Sequence, residues 1–128
     1  MDQDIPQSFK DYYRRFGVEI EINATDGRSR PPGEKLPEGI FYVSQMLASN
    51  LNCRVDVAKW HHTHHNQSWI VKPDSSCGME ICSPVSKGTS GLEVICNVVD
   101  LLKLDPIVQA DERCSLHVHV EVSDLSSD

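Results

Sequence analysis

Histidine and glutamate alternate with apolar residues along the segment CSLHVHVEV, residues 114–122. Ser115, His117, His119 and Glu121 share one side of this pattern, and leucine and valine occupy the other. A period of two predicts a β-strand whose successive side chains point to opposite faces of a sheet. Imidazole and carboxylate groups bind metal ions and carry protons, so the polar face of this strand is a candidate for chemistry.

Two other segments carry glutamate in the same alternating pattern. Glu19 and Glu21 lie on the polar side of RRFGVEIEIN, residues 14–23, and Glu80 lies on the polar side of GMEICSPV, residues 78–85. If the apolar faces of all three strands meet the core, their polar faces share the opposite surface of the sheet. The predicted cluster on that surface consists of Glu19, Glu21, Glu80, His117, His119 and Glu121.

Such a cluster needs positive charge. Carboxylates two residues apart on a strand, roughly 7 Å, repel each other by roughly 2 kcal/mol at an effective dielectric constant near 20. Carboxylate-rich sites with a few imidazoles suit Mg²⁺ or Mn²⁺, and paired divalent ions are typical of phosphoryl-transfer sites. The spacing by itself leaves two interpretations open, a metal site and an ordinary exposed polar face.

The elements that would position these residues are predicted by periodicity. Apolar residues at helical spacing predict helices over residues 38–52 and 89–106, and SWIVKPD, residues 68–74, predicts a further strand. Ser90 and Glu93 match a capping box at the start of the second helix. The order of elements predicts an α+β fold with a mostly antiparallel sheet and both helices packed on one face.

Composition limits the class of protein. A chain of 128 residues has room for a single domain, and its net charge of −7 argues against a nucleic-acid partner. No apolar run is long enough to span a membrane, and the polar N-terminus does not resemble a signal peptide. The five cysteines are odd in number and irregularly spaced, which favours reduced thiols and a cytoplasmic protein.

Three segments together resemble the amidoligase family, whose members are carboxylate–amine ligases with a glutamine-synthetase-like fold. The resemblance rests on FGVEIE, WIVKPDSSCGMEICSPV and RCSLHVHVEV, and extends from Phe16 to Val122. It implies that ATP and Mg²⁺ or Mn²⁺ are used to join a small-molecule or peptide carboxylate to an amine. The residues of this chain that match the family's acidic and histidine motifs are Glu19, Glu21, Glu80, His117 and His119.

The implied chemistry gives each group a role. A carboxylate must be activated before an amine can attack it, here as an acyl phosphate made from ATP, and phosphoryl transfer requires metal ions to neutralise charge. All five residues that match the family's motifs are expected to serve catalysis. The predicted metal ligands are Glu19, Glu21, Glu80 and His119, although either histidine could contact phosphate instead. Arg28 and Arg30 of the polar loop 24–37, predicted to be flexible, are the expected contacts of the ATP phosphates.

The resemblance also raises the question of completeness. Family members usually continue beyond the histidine strand, which implies that residues 1–128 are the N-terminal half of an amidoligase-like domain. A truncated product, half of a split protein and a reduced member that no longer ligates all stay open. A ligase completed by a C-terminal segment is therefore one hypothesis. The others are a non-catalytic metal- or nucleotide-binding interaction module and a metal-dependent hydrolase. Taken alone, the chain is expected to bind metal without ligating.

Other reactive residues have simpler interpretations. The histidine-rich segment His61–His65 is predicted to be a solvated loop, with Ni²⁺ or Zn²⁺ binding as the alternative. Cys77 and Cys82 are predicted to be half-buried thiols, because no basic partner is identifiable. Among the basic residues only Arg15 comes close to the phase of the site faces, at the start of its strand.

Overall fold

Strands and helices form where the sequence has the matching period. The computed structural model describes residues 14–24, 38–58, 67–74 and 77–121. Its elements are β1 (Arg15–Ala24), α1 (Glu38–Leu51), β2 (Val55–Val57), β3 (Trp69–Pro73), β4 (Met79–Cys82), β5 (Ser86–Lys87), α2 (Gly88–Leu104), β6 (Val108–Gln109) and β7 (Leu116–Val120). The predicted α+β class is confirmed. No helix in these residues is long and apolar enough to cross a membrane.

Strand β1 lies in the middle of the sheet. Glu19 pairs with Cys82 of β4 on one edge of β1 and with His117 of β7 on the other, and both pairings are antiparallel. The short strands β5 and β6 are also antiparallel to β1, at its two ends. Beyond β4 the order continues to β3 and then to β2, which runs parallel to β3. The sheet is therefore mixed but mostly antiparallel, as predicted.

The hydrophobic core lies on the side of the sheet that faces the helices. Val43 and Leu47 of α1 and Val98 of α2 are fully buried, together with Val71 of β3 and Ile81 of β4. The apolar residues of β1, at every second position, join the same core cluster. Because side chains alternate across a strand, burying this face leaves the glutamates of β1 and β4 on the opposite face.

The apolar face of β7 differs from expectation. Leu116, Val118 and Val120 keep 59%, 57% and 45% of their surface exposed. The core cluster takes no side chain from this strand, because β7 pairs along the side of β1 away from β3 and β4, where the helices pack. Within the described residues, the prediction that this face meets the helices is wrong.

The start of α2 also differs from the predicted capping box. The helix begins at Gly88, two residues before Ser90, and its N-cap Lys87 makes no side-chain capping bond. Gly88 has φ of 66°, a conformation that glycine adopts without strain, so the chain passes directly from β5 into the helix. Gly91 then lies so close to β5 that a Cβ atom there would be 2.7 Å from the Cβ of Ser86.

The cysteines are not all reduced. Cys77 and Cys114 form a disulfide, whereas Cys53, Cys82 and Cys96 are free thiols. The turn before β4 and the segment before β7 bring the two Cα atoms within 5.7 Å, although 37 positions separate the residues. The prediction of reduced thiols is therefore wrong for this pair, because spacing in the sequence does not reveal which distant turns converge.

Candidate metal and catalytic site

Strand pairing brings five of the six predicted cluster residues to one face of the sheet, and the sixth, Glu121, forms an ion pair with Arg15. Glu21 is paired with Glu80, Glu19 with His117, and Gly17 with His119, and directly paired residues point to the same face. This face is opposite the helices. Their catalytic and metal-binding roles stay predictions. Arg28, Arg30 and the histidine-rich segment His61–His65 lie outside the described residues.

Glu19 is the centre of the cluster. Its Oε1 atom lies 2.9 Å from Nε2 of His119, and its Oε2 atom lies 3.5 Å from Nδ1 of His117. Ligand atoms of Glu19, Glu80 and His117 all lie within 4.8 Å of one another. The central position of β1 explains this arrangement, because only a strand paired on both edges can meet acids from one neighbour and imidazoles from the other.

The carboxyl groups of Glu19 and Glu80 are hydrogen-bonded to each other, and their pKa values move in opposite directions. Burial raises the pKa of Glu80 to about 7, and the hydrogen bond and negative charge of Glu19 add to the effect. Burial also acts to raise the pKa of Glu19, but hydrogen bonds with Glu80 and His117 and the charge of His119 outweigh it, so the net shift is downward. Below about pH 7 the Glu80 carboxyl therefore keeps its proton and donates a hydrogen bond to the Glu19 carboxylate. The negative charge of the pair would also be stabilised by a cation.

Lys72 of β3 is a site residue that the sequence did not reveal. It pairs with Glu80 across the sheet, and its Nζ atom lies 3.4 Å from Oε2 of Glu80. Both side chains are largely buried, at 17% and 12% exposure. The expectation that only Arg15 among the basic residues comes close to the phase of the site faces is thus wrong, because Lys72 lies in phase with Glu80. The sequence did not show which face of β3 carries Lys72, because the residues before it are apolar on both faces. Ile70, on the same face as Lys72, is buried as well.

Cys82 lies on the same part of the site face, and its thiol is unreactive. Its Sγ atom lies 3.6 Å from Oε2 of Glu80. Burial raises the pKa of the thiol to about 12, with a further contribution from the charge of Glu80. A thiol that stays protonated is a poor nucleophile, which agrees with the predicted structural role.

Glu21 is held beside the cluster by a serine. Its buried carboxylate accepts hydrogen bonds from the backbone amide of Ser115, at 3.1 Å, and from the Ser115 hydroxyl. The same hydroxyl lies 3.2 Å from Nε2 of His117. Ser115 therefore links Glu21 to the imidazole of His117. The sequence places Ser115 on the polar side of its strand but gives no sign of these bonds.

A cavity of about 470 Å³ adjoins the cluster at the start of β1. Glu19 and His119 line one end of the cavity, and Arg15 and Glu121 line the other. Gly17 lies between them and leaves the floor without a side chain. The site can thus offer metal ligands at one end and a guanidinium group at the other.

A second group of residues of metal-ligating types already has other bonding partners. Cys77, Cys114 and Asp111 lie within 4.8 Å of one another, but the two sulfur atoms are bonded together. Hydrogen bonds from the Arg113 side chain and backbone lower the pKa of Asp111. We therefore take the cluster around Glu19, not this group, as the candidate metal site.

One comparison with known proteins covers all the residues of this face. A family model described as "Putative amidoligase enzyme" matches residues 13–128. The matched region contains every strand and both helices of the described residues, and it includes Glu19, Glu21, Glu80, His117 and His119. Comparisons with curated proteins and with solved structures return no match.

Proposed function

The chain belongs to the amidoligase family, and from this membership we propose that it is an ATP- and divalent-metal-dependent ligase, or the N-terminal part of one. It would join a carboxylate to an amine. The observation that carries the proposal is the convergence of Glu19, Glu80 and His117, with ligand atoms within 4.8 Å, on a sheet face with a cavity beside it.

The residues fit a divalent cation. Two carboxylates and an imidazole are a donor set suited to Mg²⁺ or Mn²⁺, and the proton that Glu80 keeps beside Glu19 stands where a cation would relieve the same repulsion. Glu19, Glu80 and one of the histidines would hold the ion, with Glu21 fixed behind them by Ser115. The ion would neutralise the negative charge on the phosphoryl oxygens during transfer.

The reaction has two displacements. A carboxylate oxygen of the acid substrate attacks the γ-phosphorus of ATP, and the bond to ADP breaks. The amine nitrogen then attacks the acyl carbon, and the bond to phosphate breaks as the nitrogen loses a proton. His119 is an exposed imidazole oriented by Glu19, and we propose that it accepts this proton. The Nζ atom of Lys72 lies 3.4 Å from Oε2 of Glu80, beside the metal ligands.

The test measures two products together. The chain, by itself and joined to any downstream coding sequence, is incubated with ATP, Mg²⁺, pooled carboxylates and pooled amines, and both ADP and amide are quantified. Glu19→Gln should abolish both products because the amide group removes the negative charge at the centre of the cluster. Glu112→Gln, a change of an exposed glutamate in the turn before β7, is the matched control and should retain them.

Three outcomes would contradict the proposal. Hydrolysis that needs metal but no ATP would indicate a metal-dependent hydrolase. Metal binding without any turnover, both by the chain itself and by the chain joined to any downstream coding sequence, would indicate a binding module. Turnover that survives in Glu19→Gln would place the chemistry away from this cluster.

A further inference from the structure

The cavity beside the cluster has two chemically different ends. Arg15, Gly17 and Glu19 alternate along β1 and therefore share the site face. Because Gly17 has no side chain, the cavity extends from Glu19 and His119 to Arg15 and Glu121. A ligand lying over Gly17 would contact metal ligands at one end and a guanidinium group at the other.

The guanidinium of Arg15 already binds a carboxylate. Its Nε atom donates to Oε2 of Glu121 at 3.0 Å, and Nη2 donates to Oε1 of the same group. Arg14 lies nearby, and its Nη1 atom donates to the backbone carbonyl of Glu121 at 3.1 Å. Both arginines thus contact Glu121, one at its carboxylate and the other at its backbone.

This ion pair can exchange its carboxylate for another. The Arg15 side chain is 60% exposed and that of Glu121 31%, and exposed pairs of this kind contribute little net stability because solvent screens them. Glu121 follows the last residue of β7, so its side chain can leave without breaking a strand pairing. Two parallel bonds to a planar carboxylate are the geometry in which arginine recognises this group.

Among the described residues, no charged side chain lines the cavity between its two ends. Val85 lines it there together with Ser83, whose hydroxyl accepts a hydrogen bond from the amide of Val18 at 2.8 Å. Such walls suit an aliphatic chain and disfavour the several charges of a triphosphate. Residues four apart on a strand are about 13 Å apart, so a short aliphatic acid fits between the side chains.

We propose that Arg15 binds a second, non-reacting carboxylate of the acid substrate, in the position that Glu121 occupies in this structure. The substrate class is thus a short aliphatic dicarboxylate or amino dicarboxylate, with the reacting carboxylate at the Glu19 end. This inference rests on the proposed ligase function. It assigns Arg15 as the specificity-determining residue and Glu121 as an internal competitor for the same guanidinium.

The experiment is a calorimetric titration of the chain with glutarate in the presence of Mn²⁺. Arg15→Gln should weaken glutarate binding about tenfold, since a charge-assisted pair of hydrogen bonds is lost. Glu121→Gln should tighten binding, because the competing charge is removed. Arg113→Gln is the matched control, since Arg113 forms a similarly exposed pair with Asp111 away from the cavity, and it should bind as the wild type does.

A steric variant tests the position independently. Gly17→Ala should fold, because the new Cβ would lie 3.5 Å from the Ser83 hydroxyl, an ordinary contact. It should weaken glutarate binding by narrowing the floor of the cavity, and it should leave Mn²⁺ binding unchanged. Glutarate binding equal to that of the wild type would overturn the placement over Gly17.

Competing ligands separate this inference from the proposed function. Butyrate, inorganic phosphate and ADP are titrated in parallel, and butyrate should bind more weakly than glutarate. If phosphate or ADP rather than glutarate depends on Arg15, the carboxylate assignment is wrong although a ligase remains possible. If glutarate does not bind while Mn²⁺ still raises the melting temperature, the inference alone fails. If Mn²⁺ does not change the melting temperature, the proposed metal site itself is wrong.

Discussion

The Nε2 atom of His119 lies 2.9 Å from Oε1 of Glu19, although 100 positions of the chain separate the two residues. His117 approaches the other oxygen of the same carboxylate. One glutamate thus orients two imidazoles, and a third group, the carboxyl of Glu80, hydrogen-bonds to it. Removing the charge of Glu19 should therefore disturb every member of the cluster.

Metal binding is the first expectation. Mn²⁺ or Mg²⁺ at millimolar concentration should raise the melting temperature measured by calorimetry. An ion at about 100 times its dissociation constant adds about 2–3 kcal/mol to the free energy of unfolding. Glu19→Gln should abolish the shift, and Glu112→Gln should retain it. A shift that persists in Glu19→Gln would place the ion elsewhere, with His61–His65 as the next segment to mutate.

The pH dependence of stability follows from Glu80. Its pKa is raised from 4.5 to about 7, so the folded state binds more protons than the unfolded state between these values. The contribution of Glu80 to the free energy of unfolding therefore falls as pH rises through this window and stays low above it. Glu80→Gln should raise that free energy by about 1–3 kcal/mol at pH 8 and have little effect at pH 4.

Denaturant unfolding at several pH values measures this difference. A variant whose stability runs parallel to that of the wild type across the window would mean that Glu80 titrates normally. Mn²⁺ should also bind more weakly below pH 7, because the proton on Glu80 then competes with the ion.

The hydroxyl of Ser115 supports a buried carboxylate. Ser115→Ala removes one of its two hydrogen bonds to Glu21 and should lower the free energy of unfolding by about 1–3 kcal/mol, since Glu21 is only 6% exposed. Ser90→Ala, a change of an exposed serine in α2, is the control and should have little effect. Equal melting temperatures for the two variants would show that the Ser115 hydroxyl is dispensable.

The disulfide makes a separate contribution. Cys114→Ser should lower the free energy of unfolding by about 2–4 kcal/mol, because the Cys77–Cys114 bond closes a loop of 37 positions. A thiol reductant should have the same effect on the wild type and none on the variant. Cys53→Ser, which changes an exposed free thiol, should leave stability unchanged. A wild-type protein that is insensitive to reductant would contradict the disulfide.

The faces of the strands could be predicted from the sequence because alternation is a local property. It identified the site face of β1, β4 and β7 from the positions of Glu19, Glu80 and His117. Contacts across the sheet are not local. Nothing near Lys72 or Ser115 in the chain indicates that they meet Glu80 and Glu21, because those contacts depend on the register between strands.

Burial was predictable only where a partner could be identified. The apolar side of β7 reads like that of β1, but only β1 lies under the helices. The strands β5 and β6 have two residues each, too few to show any period. The disulfide depends on the approach of two turns, which no spacing of cysteines reveals.

The central position of β1 has a consequence for how the protein is made. Within the described residues, every strand that pairs with β1 follows it in the chain, and the last of them is Leu116–Val120. A ribosome therefore releases the strand that carries Glu19 long before it releases the histidines. Contacts of such long range form slowly, since a large loop must close before they stabilise the chain. During synthesis the described strands that pair with β1 are still missing when β1 emerges, and the face that carries Glu19 and the histidines is assembled last.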